Sequence, residues 1–271
     1  MSERSTRQSF LGESSDATLG ALRVGIVGLG GGGSHVAQQL AHVGVGNYVL
    51  VDPDRIESSN LNRLVGGTVA DLKVRRWKTT IAARQIRRVL PRARIVEIKE
   101  EWQGAAESFR DCDLVLGCLD SFAGRRELEE AARRFLIPYI DVGMDVIKAA
   151  GRYAIVGQIA LSMPGRPCLR CLGVVRDTDV AAEAQAYGAA GGKPQVVWPN
   201  GLLASVAVGL AVQLVCPWHE GRNDMVLLEY DGNVNTVAVS SVLGDVAHDC
   251  PHFTEVARLG DPWFSVADVH S

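Results

Sequence analysis

A glycine-rich turn followed by an acidic residue is the part of this chain best suited to chemistry. The apolar run 24–27 leads into a turn with four candidate phosphate-binding glycines: Gly28, Gly30, Gly31 and Gly33. Such a turn lets backbone N–H groups approach phosphates, and the following helix adds the positive potential of its N-terminus. The next apolar run ends at Asp52, whose carboxylate could accept both ribose hydroxyls. The pattern predicts a nucleotide site, although such a turn also serves simply to pack a helix on a strand.

The polar stretch that follows Asp52 favours an ATP-cleaving site over a simple dinucleotide site. A Walker-type loop is excluded because no lysine follows Gly33. Residues 52–63 carry acids, asparagines and arginines, and a basic segment follows them. An NAD(P)-dependent oxidoreductase does not need these side chains, whereas an enzyme that breaks ATP at the α-phosphate does. The oxidoreductase remains an alternative, because the glycine turn and Asp52 also suit NAD(P).

A second candidate site comes from the cysteines. Of six cysteines, Cys168 and Cys171 are separated by two residues, a spacing typical of metal or redox chemistry. Residues 1–7 are polar and show no secretory signal, so we expect a cytoplasmic protein and no disulfide framework.

The elements that must position these residues alternate between strand and helix. Strands are predicted at 24–27, 48–52, 95–98, 113–117 and 137–142, and helices at 34–43, 73–90 and 122–135. This order predicts a Rossmann-like, doubly wound α/β fold with a mostly parallel sheet. Strands at 153–163, 225–230 and 235–240 follow with fewer helices and continue the sheet in antiparallel fashion, while 177–195 is expected to be loop-like.

We therefore expect one domain over residues 1–271 rather than two. It comprises an arm with some helix at 1–22, a nucleotide-binding half at 23–150, and a half for partner binding and dimer formation at 151–271. The second half contains a crossover segment at about 172–196.

Composition excludes some classes of partner. The 271 residues have a net charge of −3 and 22% charged residues, which argues against strong nucleic-acid binding through bulk charge. The longest apolar run, 202–215, is shorter than the roughly 20 residues of a membrane span. It predicts a buried helix and no membrane association.

The chain resembles the MoeB/ThiF/HesA family, the bacterial relatives of ubiquitin-activating enzymes. The matching stretches, in the family's order, are residues 4–8, 27–34, 52–63, 76–91, 112–120, 168–171 and 200–205. The resemblance implies a ThiF-type adenylation domain that uses ATP and Mg²⁺ to adenylate the C-terminal glycine of a small β-grasp, ubiquitin-like protein. It also implies a homodimer.

The resemblance assigns roles residue by residue. Asp52 would hold the ribose, with Asp54 in the same nucleotide-binding stretch. Phosphate contacts would come from Asn60, Arg63 and Lys78, with Lys78 preferred over Lys73 because its distance to Pro91 suits the family's spacing. Asp120 would place magnesium, unless it caps a helix. Arg7 would reach the triphosphate of the neighbouring subunit.

The family's zinc site is altered in this sequence. Zinc-binding members use two Cys-x-x-Cys pairs, but the second region here has Cys250 and, three residues later, Phe253. A site formed by Cys168, Cys171, Cys250 and either His252 or His248 would suit tetrahedral zinc. The alternative is that zinc was lost and these are ordinary thiols.

No cysteine lies between Cys171 and Cys216, where a thioester-forming enzyme would carry its nucleophile. We therefore expect adenylation without a dedicated thioester cysteine, and transfer to a sulfurtransferase or conjugating partner. A non-catalytic binding module with the same surface is the third hypothesis.

Overall fold

Buried apolar strands form the centre of the sheet, as the sequence predicts. The structure is a computed structural model that describes residues 3–149, 151–185, 194–220, 226–247 and 249–253. The strands of the described residues are β1 (Arg23–Val27), β2 (Asn47–Val51), β3 (Arg94–Ile98), β4 (Leu114–Gly117), β5 (Tyr139–Ala149), β6 (Arg152–Ser162), β7 (Val226–Asp231) and β8 (Thr236–Val239). The α-helices are α1 (Ser15–Ala21), α2 (Gly31–Val43), α3 (Val69–Lys73), α4 (Lys78–Val89), α5 (Phe122–Arg134), α6 (Asp177–Gln185) and α7 (Val197–Val215).

The strands form one sheet in the order β3-β2-β1-β4-β5-β6-β7-β8. The first five pair in parallel, and β6, β7 and β8 continue the sheet in antiparallel fashion. The predicted fold class is confirmed. Because the chain winds away from β1 in both directions, a crevice opens at the carboxyl ends of β1 and β4, where ligands bind in such sheets.

Apolar layers cover both faces of the sheet. One core is built with α2, α4 and α7, through residues such as Leu40, Ile86 and Leu203. The other contains Leu128 of α5 and Trp102 of the 3-10 helix Trp102–Phe109. Short 3-10 helices also occur at Glu3–Leu11, Ser58–Asn60, Ser241–Gly244 and Pro251–Phe253.

The prediction of one long helix over 73–90 is wrong. Helix α3 ends at Lys73 and α4 begins only at Lys78, with Arg75 between them at a φ of 45°. Residues 76–78 instead pair with the segment after β2: Ile56 N–H donates to the Arg76 carbonyl, and Lys78 N–H donates to the Asp54 carbonyl. These backbone bonds compete with the helix and fix where α4 begins.

Two further expectations need correction in the second half. Residues 177–185 form α6 rather than a loop, while 186–193 lie outside the described residues. Helix α7 begins at Val197, five residues before the apolar run, and is long and apolar enough to span a membrane by those criteria alone. It packs against α2, β5 and β6 with Leu203, Ala207 and Ala211 buried, as expected for a core helix.

Candidate nucleotide site and Cys/His cluster

A cleft of about 390 Å³ opens where the sheet topology predicts a ligand site. It lies at the carboxyl ends of β1, β2 and β4, beside the N-terminus of α2. It brings together most of the predicted nucleotide-binding residues: Gly28, Gly30, Gly31, Asp52, Asp54, Asn60, Arg63, Lys78 and Asp120.

The glycine turn requires glycine at two positions. Gly28 has a φ of +82°, and a Cβ there would lie 2.6 Å from the Cys118 carbonyl oxygen. A Cβ on Gly33 would overlap the carbonyl oxygen of Gly28, so Gly33 packs α2 onto the turn without lining the cleft. Gly30, by contrast, faces open space, which leaves room for a ligand beside the backbone.

Asp52 and Lys78 link the turn to the rest of the cleft. The Asp52 carboxylate accepts the Leu29 N–H at 2.6 Å and the Asp54 N–H at 2.8 Å. Burial raises the pKa of Asp52, and the charge of Lys78 partly offsets that effect. The Lys78 ammonium lies 2.6 Å from Asp54 and 3.6 Å from Asp52. Lys78 is the first residue of α4 and is paired with two carboxylates. A phosphate group could take the place of one of these carboxylates as the partner of Lys78. Lys73 is exposed and does not line the cleft.

The segment after Asp54 supplies Asn60 and Arg63. The Asn60 side-chain oxygen accepts the Glu57 N–H at 3.0 Å, so any contact with a phosphate falls to its amide nitrogen. Arg63 donates to the Ser59 carbonyl at 2.5 Å. Asn62 donates to the Gln195 carbonyl at 3.2 Å, which ties this loop to the end of the crossover segment.

Asp120 follows β4 and lies at the cleft with its side chain exposed. It does not cap the next helix, because that role belongs to Ser121, whose hydroxyl accepts the Gly124 N–H at 3.1 Å. The alternative of a helix-capping aspartate therefore does not apply. An exposed carboxylate at a strand's carboxyl end suits a divalent cation held with phosphates.

Arg7, like Gly33, is a predicted nucleotide-site residue that does not line the cleft of its own chain. It is exposed in the 3-10 helix Glu3–Leu11, whose Phe10 packs edge-to-face against Trp218 at 6.1 Å between ring centroids. Trp218 follows the C-terminal end of α7, whereas Asn200, at the other end of α7, lines the cleft.

Several cleft residues were not predicted as site residues. Asn200 is buried, and its amide nitrogen lies 2.5 Å from the position that a Cβ of Gly31 would occupy. Trp102 and Arg125 also line the cleft. Asn200 lies in the stretch 200–205 that matches the family, so the sequence did indicate that it could belong to the site. Trp102 lies outside the predicted strands and helices, and Arg125 lies within the predicted helix 122–135, so no motif marked either residue.

Four side chains that could act as metal ligands meet outside the cleft. The ligand atoms of Cys168, Cys171, Cys250 and His252 all lie within 4.8 Å of one another. The Sγ atom of Cys171 is 3.6 Å from those of Cys168 and Cys250, and His252 Nδ1 is 3.3 Å from Cys168 Sγ and 3.4 Å from Cys171 Sγ. Tetrahedral zinc bonds of about 2.3 Å to sulfur and about 2.0 Å to nitrogen imply edges of ~3.8 Å and ~3.5 Å.

These side chains could hold zinc, and among the described residues His252 is the one that joins the three cysteines. The alternative ligand, His248, lies outside the described residues. Phe253, which stands where the family has a cysteine, instead packs on the Arg133 guanidinium, 4.7 Å from its ring centroid.

A buried ion pair on α5 holds the backbone around Cys168. Arg133 donates to the carbonyls of Arg166 and Pro167, and Glu129 accepts the Leu169 N–H at 2.8 Å. The Arg133–Glu129 distance is 3.5 Å, and both side chains are 1% exposed. Burial raises the pKa of Glu129 to about 7. The pair fixes the backbone on both sides of Cys168.

The chain belongs to the ThiF family, whose model matches residues 3–252. The resemblance drawn from the motifs is thus confirmed. The SAMP-activating enzyme E1 of Haloferax volcanii is 34% identical over 152 residues, which cover 55% of this chain and 53% of that protein. The molybdopterin-synthase adenylyltransferase of Escherichia coli is 33% identical over 154 residues, covering 55% and 58%. The chain thus matches these curated relatives over about half of their length.

The fold is also that of solved structures. A crystal structure of E. coli MccB with ATP aligns over 93% of this chain and 73% of that chain, with a TM-score of 0.72 and 18% identity. MccB with AMPCPP and selenomethionine-labelled MccA gives a TM-score of 0.72 over 92% of this chain and 73% of that chain, at 20% identity. At these identities the likeness establishes the fold alone.

Proposed function

We propose that this protein uses ATP to adenylate the C-terminal carboxylate of a small ubiquitin-like or sulfur-carrier protein, with release of pyrophosphate. The observation that carries the proposal is the meeting of Arg63, Lys78 and Asp120 in one cleft with the glycine turn. The names of family relatives support it, among them the ThiS adenylyltransferase of E. coli, 30% identical over 151 residues that cover 54% of this chain and 56% of that protein.

The residues present suit this reaction, because a carboxylate attacking the α-phosphate brings two anions together. The attacking oxygen is already ionised at neutral pH, so the site needs no general base. It needs cations that neutralise the phosphates and stabilise the charge that develops on the transferring phosphorus. Lys78 and Arg63, which line the cleft, would supply these cations, and the open space beside Gly30 would admit the phosphate chain. The leaving group is pyrophosphate.

Magnesium fits the exposed carboxylate of Asp120, a hard oxygen ligand. Asp120 would hold the ion beside the nucleotide, and the ion would supply positive charge there. Zinc fits the Cys/His cluster, where Cys168, Cys171, Cys250 and His252 would hold it. That zinc would be structural, because it would join the crossover side of the molecule to the segment around residue 250.

The cysteines support adenylation without a thioester step on this chain. Burial raises the pKa of Cys118, which lines the cleft, to about 12, and that of Cys112 to about 11. Such thiols are poor nucleophiles at neutral pH. We infer that the acyl-adenylate passes to a sulfur donor or to an acceptor carried by a partner. All six cysteines are free, which suits a cytoplasmic location.

A homodimer is part of the proposal. Arg7 lies in the 3-10 helix that packs near the end of α7 opposite to the cleft. We therefore infer that the Arg7 that contacts the phosphates of one subunit belongs to the partner subunit. An NAD(P) oxidoreductase is less well supported, because it gives no use to Lys78, Arg63 and Asp120. A non-catalytic module is disfavoured by the same three side chains.

The decisive measurement is ATP–pyrophosphate exchange in the presence of a candidate β-grasp protein ending in Gly-Gly. We expect exchange that depends on the partner, that disappears when its terminal glycine is removed, and that Asp120→Ala abolishes. NADH binding without ATP binding would favour the oxidoreductase. If the protein binds ATP but shows no pyrophosphate exchange with any candidate partner encoded nearby, the non-catalytic binding module is favoured.

A further inference from the structure

Arg125 is a cation of the cleft to which the proposed chemistry gives no role. Among the described residues that line the cleft, the cations are Arg63, Lys78 and Arg125. The Arg125 side chain is only 8% exposed, whereas that of Arg126, the next residue on α5, is 38% exposed. A guanidinium so deeply buried must be compensated by specific partners.

The partners of Arg125 connect it to the residue before Asp120. Its Nε donates to the Leu119 carbonyl at 2.9 Å, and its Nη1 donates to an Asp141 carboxylate oxygen at 3.4 Å. The Asp141 carboxylate also accepts the Tyr139 hydroxyl at 3.0 Å and a hydrogen bond from Gln158. Arg125 thus joins the end of β4 to a fixed acid on β5.

Strand β5 makes room for this guanidinium. A Cβ on Gly143 would lie 2.6 Å from Arg125 Nη2, and closer still to Arg125 Nη1 and to the Gln158 amide nitrogen. Glycine inside a strand often marks the close approach of another group. Residue 143 therefore lacks a side chain exactly where Arg125 crosses β5.

We propose that Arg125 is a positioning residue: by holding the Leu119 carbonyl, it fixes the orientation in which Asp120 binds the metal ion that accompanies the nucleotide, and Gly143 provides the space that this requires. The inference rests on the proposed function, in which Asp120 binds magnesium. Groups that orient a metal ligand commonly contribute about 10- to 100-fold to metal affinity. Lysine cannot replace Arg125, because its single ammonium cannot donate to Leu119 and Asp141 in the plane of a guanidinium.

The test measures metal affinity, which does not require the protein substrate. Mn²⁺ is titrated by electron paramagnetic resonance into the full chain with the non-hydrolysable nucleotide AMPCPP. The variants are Arg125→Lys, Gly143→Ala and Asp120→Asn, with Arg126→Lys as the exposed control. Arg125→Lys and Gly143→Ala are expected to weaken Mn²⁺ binding about tenfold or more. AMPCPP affinity in EDTA should stay unchanged in both, and Arg126→Lys should match the wild type.

The outcomes separate this inference from the proposed function. If Asp120→Asn loses Mn²⁺ binding while Arg125→Lys and Gly143→Ala keep it, the positioning role is overturned and the proposed function stands. If the wild type shows no nucleotide-dependent Mn²⁺ binding, or Asp120→Asn keeps it, the metal role of Asp120 fails and the inference falls with it. Should Arg125→Lys not fold, Gly143→Ala decides, because its added methyl meets only the ends of flexible side chains.

Discussion

The nucleotide cleft and the Cys/His cluster are built on opposite principles. In the cleft, charged side chains hold one another through contacts that a ligand can replace, such as Lys78 with Asp54, and Asp120 is exposed. In the cluster, the four candidate ligand atoms lie within 4.8 Å of one another, beside an ion pair whose side chains are 1% exposed. The side-chain contacts of the cleft can be exchanged for contacts with a ligand, whereas the side chains of the cluster keep the contacts they make with one another. Substitutions in the two regions should therefore separate activity from stability.

The largest expected effect is on the cleft side of the comparison. Lys78→Ala removes a cation from the transferring phosphates, and pyrophosphate exchange should fall by about 10³-fold. Circular dichroism should still show a folded protein at the assay temperature. Lys73→Ala, the matched control on the exposed end of α3, should exchange normally. Equal exchange by Lys78→Ala and the wild type would contradict the assignment of Lys78.

The cluster should show the reverse pattern. Cys171→Ser should remove bound zinc, measured by elemental analysis, and lower the free energy of unfolding by more than about 3 kcal/mol, because a structural metal contributes directly to folding. His252→Cys should keep both zinc and stability, since thiolate and imidazole both suit the metal. His248→Ala serves as the control. Zinc loss in His248→Ala but not in His252→Ala would reverse the choice of ligand.

Asp71 offers a structural charge inside the nucleotide half. Its side chain is 1% exposed and binds Arg84 and Arg76, which fixes the turn between α3 and α4. Hydrogen bonds, chiefly from Arg84, hold the pKa of Asp71 well below its usual range. Asp71→Asn should therefore cost about 3 kcal/mol in unfolding free energy at pH 7.

The pH dependence of that cost follows from the lowered pKa. The stabilisation is complete above the unfolded-state pKa of about 4 and is lost as pH falls toward the folded-state pKa. The difference between wild type and Asp71→Asn in urea melts should thus shrink below about pH 4. A difference that grows on acidification would show that the ion pairs do not carry the stability.

The smallest expected effect tests the proposal that a partner subunit supplies Arg7 to the cleft. Arg7→Ala and Lys78→Ala should each be inactive alone. When they are mixed and allowed to exchange subunits, half of the dimers carry one intact site of two, so exchange should return to about one quarter of the wild-type value. Mixed Arg63→Ala and Lys78→Ala is the control and should stay inactive. No recovery in the first mixture would place Arg7 outside the site.

The parallel strands and the glycine turn were predictable from the sequence because each is a local pattern. After Arg23, strand β1 is a continuous apolar run, as buried parallel strands are, and it is followed by Gly28, where the positive φ favours glycine. Asp52 and Asp120 both follow such strands, so their meeting at one edge of the sheet follows from the topology.

The break between α3 and α4 and the helix α6 were not predictable in the same way. No proline or glycine marks residues 74–77, and the helix stops there because the segment pairs with residues 54–56. Helix α6 has no buried side chain among its residues, so it has no apolar stripe to reveal it. Its Glu183 instead accepts the Ala123 N–H at the start of α5, a contact between distant segments.

The sequence by itself determined the family, the class of fold and the charged cleft residues that belong to motifs, among them Asp52, Lys78 and Asp120, because those depend on short spacings along the chain. Only the tertiary structure decided that Ser121 rather than Asp120 caps α5, that His252 completes the cysteine cluster, and that Arg125 crosses β5 at Gly143. Each of those depends on which atoms lie within about 3 Å of one another once segments far apart in sequence have packed, and no local pattern encodes such a distance.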